Sequence, residues 1–225
     1  ACKQWNQLPA GSTRNTGTYQ NPPDLQANTW TLIRFQEVGD ADGKVEWLFR
    51  KDGCMHCTDA TCEKLCPAGA RVHLDYGAVA RNDEKCVGCQ ACVDACPFGK
   101  PKYSEEDNKV FKCGLCPDRV QNNLSPACVK ACPTGALQFG KKEEMVKLAY
   151  ARVKKLGGEA SVYGDKFFGG THVIYVLEKN VNLYKALPAQ PKVASSVIFW
   201  KELLKPFGAI EAGVGLTGLA ASSFL

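Results

Sequence analysis

Cys54-Met-His-Cys57-Thr-Asp-Ala-Thr-Cys62-Glu-Lys-Leu-Cys66-Pro67 and Cys86-Val-Gly-Cys89-Gln-Ala-Cys92-Val-Asp-Ala-Cys96-Pro97 decide how this chain is read. A third run, Cys113, Cys116, Cys128 and Cys132 followed by Pro133, keeps the opening C-x2-C and the closing C-x3-C-P with a longer interval between them. These runs hold twelve of the thirteen cysteines. Three thiolates in a short, turning loop reach three corners of one iron–sulfur cube, and the fourth, opening the next turn, faces a neighbouring cube. Proline after the fourth cysteine has no N–H and a fixed φ, so it ends the turn and steers the chain away. The spacing predicts several cubane clusters, paired through exchanged cysteines, in a chain that moves electrons.

The middle run is the loop of bacterial ferredoxins. Structural zinc fits less well, because it wants closed tetrahedral sites, often with histidine, and none of the three histidines stands at knuckle spacing. A disulfide framework fails on the odd cysteine count and on the crowding of C-x2-C-x2-C. The formal charge of +5 treats cysteine as neutral. Cluster thiolates offset it, and no run of five like charges suggests a nucleic-acid arm. With 225 residues there is room for one or two domains, part of whose folding energy comes from metal ligation.

Outward from the runs, the sequence is punctuated clearly. Cys2 has no companion within fifty residues, and three further cysteines upstream would close four sets of four, so a missing N-terminal stretch is expected. Residues 3–28 read as loop. Residues 29–38 and 44–50 form a β-hairpin, with Trp30 and Trp47 expected in the core. Cys66-Pro-Ala-Gly-Ala70 and Cys132-Pro-Thr-Gly-Ala136 repeat one element, and after the first, residues 71–74 and 78–81 make strand, turn and strand. His56 either donates to cluster sulfur or faces solvent. Lys100, Lys102, Lys112 and Arg119 flank cluster loops and either tune their potentials or are merely solvated. Residues 141–155 show helical periodicity through Met145, Leu148, Ala149 and Val153, and 171–178 reads as a strand. No chemistry is assigned to this αβ segment, and His172 is read as structural. Pro191 to Ser196 is a linker. Aromatic and basic residues 197–205 suit a membrane interface, and the 19 residues after Pro206 carry one charge, Glu211. They are expected to begin a partner-packed membrane span.

With Ala1-Cys2-Lys3-Gln4-Trp5-Asn6, Tyr19-Gln-Asn-Pro-Pro-Asp24, Trp47-Leu48-Phe49 and Pro126 to Ala136 in view, the chain resembles the four-cluster beta subunits of molybdenum- and tungsten-pterin oxidoreductases, in particular those of membrane-bound formate dehydrogenases. The resemblance implies an α+β fold: two bacterial-ferredoxin-like [4Fe-4S] domains, a small αβ appendix and a C-terminal transmembrane helix. Residues 1–47 and 111–140 would make one, N-terminally incomplete ferredoxin-like domain, 48–110 an inserted second, 141–192 the appendix and linker, and 193–225 the anchor. It implies that Cys54, Cys57, Cys62 and Cys96 bind one cluster, Cys86, Cys89, Cys92 and Cys66 a second, and Cys113, Cys116, Cys128 and Cys2 a third. Cys132 joins missing upstream cysteines on a fourth. It further implies no catalysis by this chain itself, electrons received from a pterin subunit that oxidises formate, delivery to a membrane cytochrome b and quinone, anchoring in the lipid bilayer, and a place on the periplasmic face of the inner membrane. Kin serving polysulfide, sulfoxide, nitrite or hydrogen chemistry share the cysteine scaffold. A stand-alone ferredoxin-like carrier is the other alternative.

Overall fold

The computed structural model describes residues 1–39 and 43–193. The elements below belong to the unit Ala1–Pro191. A first turn of helix, α1 (Cys2–Trp5), leads through a polar loop into strand β1 (Leu32–Gly39), which pairs antiparallel with β2 (Val45–Asp52), Phe35 opposite Phe49. β-branched and aromatic residues favour this pleated pairing.

The hairpin is turned the other way from a usual amphipathic strand pair. Val45, Trp47 and Phe49 point outward, Trp47 being 57% exposed, while Leu48, Arg50 and Asp52 point inward. The expectation of Trp47 in the core is therefore corrected, whereas Trp30 is half-buried and stacks on Phe111 at 6.3 Å. The physical reason lies in Asp52. Its side chain is wholly buried and accepts from Lys100 Nζ at 2.6 Å, Arg34 Nε at 2.6 Å, Arg50 Nη1 at 3.3 Å and the Gly53 N–H at 3.0 Å. Buried charges of this kind are tolerated only when paired and hydrogen-bonded, and this set fixes which face of β2 turns inward. The outer rings still pack on one another: Phe35 meets Tyr19, Phe49 and Trp47 at centroid distances of 4.9, 5.1 and 5.3 Å.

After β2 the chain alternates cluster loop, helical turn and hairpin. Helix α2 (Thr61–Lys64) precedes β3 (Arg71–His73) and β4 (Val79–Arg81); α3 (Ala91–Asp94) precedes β5 (Lys102–Ser104) and β6 (Lys109–Phe111). Helices α4 (Pro117–Gln121) and α5 (Ala127–Lys130) follow. Each of the three Cys-Pro-x-Gly segments closes the same turn, with Gly69, Gly99 and Gly135 donating to the carbonyls of Cys66, Cys96 and Cys132. The three glycines share φ of +59°, +62° and +64°, a left-handed conformation cheap only for glycine.

Helix α6 (Lys142–Leu156) packs Ala149 inward against β7 (Ser161–Tyr163) and β8 (Tyr175–Leu177) and ends at Gly157. The strand expected over 171–178 pairs only across 175–177, because the residues before it bond elsewhere. Phe168 O and Gly170 O accept from Asp59 and Thr58, and the His172 and Val173 N–H groups donate to the 55–56 backbone. Segment 168–173 thus straps the first cluster loop. Leu48, Met55, Phe98, Tyr163, Tyr175, Leu177, Tyr184 and Leu187 form one core, so the αβ segment packs against the cysteine loops as well as on itself. Among the described residues no helix is long and apolar enough to cross a membrane. Residues 194–225, on which the membrane span was expected, lie outside the described residues.

Candidate iron–sulfur sites

Each cysteine run delivers its members in the same local way. The opening pair sits in a loop that turns through a left-handed residue (His56, Gly88 or Leu115), the third cysteine (Cys62, Cys92 or Cys128) lies inside a one-turn helix, and the fourth comes two residues after that helix ends. The following proline and left-handed glycine then fold the chain back, so that an N–H four residues on reaches the sulfur: Ala70 N to Cys66 Sγ at 3.2 Å and Lys100 N to Cys96 Sγ at 3.4 Å.

Folding brings the runs together across the sequence. One cavity is lined by Cys54, Cys57, Cys62 and Cys96, together with Lys112 and Phe168. A second is lined by Cys86, Cys89, Cys92 and Cys66, with Arg71. Each cavity therefore takes three sulfurs from one run and the fourth from the other. Cys2 stands beside Cys113, Cys116 and Cys128. Helix α1 reaches that position through the Trp5 indole, which donates to Asp118 at 2.8 Å and lies under the Arg119 guanidinium at 4.3 Å. Cys132 sits apart, half-buried in a run of exposed residues. Its thiol is brought down to about 7 by the Thr134 hydroxyl and neighbouring backbone N–H groups.

The donor set fits a polynuclear group. Burial and the facing sulfurs of Cys54 and Cys96 push the Cys57 thiol up, and burial and Cys54 push Cys62 up to about 12. Burial, then Cys113, Cys116 and Cys128, lift Cys2 to about 12. Thiols crowded like this ionise together only around a strongly positive centre, as coordination provides. Among the described residues no three His, Cys, Asp or Glu side chains gather tightly enough for a single metal ion. Four sulfurs around a cavity, without such a gathering, suit a cube rather than one zinc ion.

Basic side chains flank these sulfurs. Arg71, 3% exposed, donates through Nη2 to Cys92 Sγ at 3.3 Å and to the Val110 carbonyl at 3.2 Å, leaving Nη1 without a partner. Lys112, buried at the first cavity, donates to the carbonyls of Val79 and Cys113. Lys100 reaches the first site through its backbone, since its ammonium is engaged by Asp52; Lys102 pairs with Asp24 at 2.7 Å. His56 is fully buried, which removes the solvent-facing alternative. His172 has a structural part, bonding through its backbone N–H and its Nδ1 to the His56 carbonyl, each at 2.9 Å. Sequence reasoning missed Arg71. Its signal was a charged residue at an inward strand position directly after a Cys-Pro-x-Gly turn.

Residues 45–142 match the 4Fe-4S dicluster domain family. Over 216 residues the chain is 49% identical to the iron–sulfur subunit of the nitrate-inducible formate dehydrogenase of Escherichia coli K12, covering 93% of this chain and 73% of that protein. The chain belongs to the formate dehydrogenase iron–sulfur subunit family. The formate dehydrogenase iron–sulfur subunit of Haemophilus influenzae is 47% identical over 220 residues, covering 94% of this chain and 70% of that one. Formate dehydrogenase subunit beta of Megalodesulfovibrio gigas is 36% identical over 200 residues, covering 82% and 88%. As a member of this family the chain carries [4Fe–4S] clusters and serves electron transfer as a subunit beside a catalytic partner.

Proposed function

We propose that this chain relays electrons within a formate dehydrogenase complex, from a molybdenum- or tungsten-pterin subunit that oxidises formate to a membrane cytochrome b that reduces quinone. It makes and breaks no substrate bond itself. When bound, each cube supplies a site that takes up and releases one electron at a time. The observation that supports the reading is that each of the two cavities is lined by three cysteines of one run and one of the other.

The ligand sets of this reading are Cys54, Cys57, Cys62 and Cys96; Cys86, Cys89, Cys92 and Cys66; and Cys113, Cys116, Cys128 and Cys2. Cys132, separate from all three, contributes a ligand to a fourth cluster. The chain's own residues hold the sulfurs in place, donate N–H groups to Cys66 and Cys96, exclude water with Met55 and Phe98, and set buried cations beside them. Residues 1–47 with 111–140, and 48–110 between them, are the two ferredoxin-like halves of the proposal, although β2 runs across the 47/48 boundary. Residues 193–225 provide the membrane anchor, on the periplasmic face.

Formate added anaerobically to the purified complex should bleach the cluster absorbance, and a quinone analogue should then restore it. Bleaching by dithionite but never by formate would refute the formate path. Iron and acid-labile sulfide absent from an anaerobic preparation would refute the ligand sets.

A further inference from the structure

His56 stands in the first cysteine run, yet nothing in the relay described above uses its side chain. It is completely buried and holds φ at +49°, a left-handed conformation that histidine, asparagine and aspartate tolerate better than most residues. The Val79 N–H donates to its Nδ1 at 3.1 Å. A proton on Nδ1 would collide with that donor, so Nδ1 is the acceptor and the ring hydrogen sits on Nε2. Nε2 makes no well-aligned hydrogen bond, although buried donors are normally satisfied. The Cys54 sulfur accepts the His56 backbone N–H at 3.5 Å, and the thiols that act on the imidazole are Cys54 of the first cavity and Cys113 of the Cys2 group. The strap holds the backbone that carries the ring, because His172 bonds to the His56 carbonyl at 2.9 Å.

We propose that His56 is a shared donor between two cluster sites, its Nε2–H serving sulfur of the Cys54 cavity and of the Cys113 group and thereby raising the reduction potentials of both. The inference rests on the ligand sets proposed above. Its physical basis is that reduction adds negative charge to a cluster, so an N–H aimed at its sulfurs favours the reduced state. A donor placed between two sites couples their tuning, whereas Arg71 touches only the Cys92 side.

The test is an EPR-monitored redox titration of the intact complex, with iron and sulfide quantified. His56→Asn keeps a residue suited to the left-handed backbone but withdraws the donor; His56→Gln restores an amide donor of longer reach. Full iron content, a downward shift of the two clusters flanking His56, an unmoved Cys86-set cluster and partial recovery in His56→Gln are expected. Unchanged potentials, an equal shift of every cluster, or movement of only one of the two would overturn the sharing. A measurement independent of any variant is pulsed EPR on complex labelled with 15N-histidine. Nitrogen couplings to both flanking clusters are expected, and their absence from either overturns the proposal. A wild-type complex lacking these clusters would instead sink the ligand sets, and the inference with them.

Discussion

Replacing Asp52 with asparagine should loosen the protein where its hairpin meets its cluster loops. The carboxylate accepts from Lys100, Arg34, Arg50 and the Gly53 N–H, and Lys100 donates its own N–H to Cys96 Sγ. Burial opposes the charge, but Lys100 and Arg50 hold the carboxyl at about 2 rather than 3.8. At about 1.36 kcal/mol per tenfold change, that difference corresponds to about 2.4 kcal/mol. Because the folded-state value lies below the unfolded one, this contribution is complete above pH 3.8 and disappears as pH falls through 2. Removing one member of a buried charge set costs about 3–5 kcal/mol, since the remaining cations lose their counterion. The two routes bracket a loss of about 2–5 kcal/mol at neutral pH. With a urea dependence of about 2 kcal/mol per molar, the midpoint should fall by about 1 M or more. The assay is anaerobic urea titration of the cluster-loaded protein, followed through visible cluster absorption and far-ultraviolet circular dichroism. Adding Lys100→Met to Asp52→Asn should recover part of the loss, because one orphaned cation goes with its partner. An Asp52→Asn midpoint equal to wild type, or a double variant no better than the single one, would refute this account of the inward face.

Other outcomes follow from the same geometry. Cys96→Ser should damage the cluster held with Cys54, Cys57 and Cys62 and spare the one held with Cys86, Cys89 and Cys92, with Cys66→Ser doing the reverse; separate EPR signals distinguish the two, and damage confined to each serine's own run would refute the exchange. Arg71→Met should lower the potential of the Cys86-set cluster in a redox titration, since it removes a buried cation and a donor to Cys92 Sγ. Gly77→Ala should cost more than about 1 kcal/mol in the same urea assay, because φ is +83° and a Cβ would come within 2.0 Å of the His172 ring.

What could be read from the sequence and what could not divide along physical lines. Metal ligation imposes fixed spacing, so the cysteine runs and the turns after Cys66, Cys96 and Cys132 were legible residue by residue. Helix α6 was legible too, as its apolar period and the closing Gly157 are local signals. The orientation of β1–β2 was not. Alternation in Val45, Trp47 and Phe49 marks a strand but not which side is inner, and the decision came from Lys100, 48 residues beyond Asp52. The strap over residues 168–173 was hidden for the same reason, since its backbone bonds reach Thr58 and Asp59, and no periodicity records a partner that distant. His56 lay between those cases: its place in the run was plain, its burial was not.

The outward row of rings on the first hairpin carries a practical consequence. Tyr19, Ile33, Trp47 and Phe49 offer water a greasy exterior, with the exposed Glu37 opposite Trp47 as the charge among them. Released from its assembly, the chain would hide those rings against other copies of itself. Soluble yield should therefore follow how much of the accompanying subunits the cell makes, and not how firmly the chain folds.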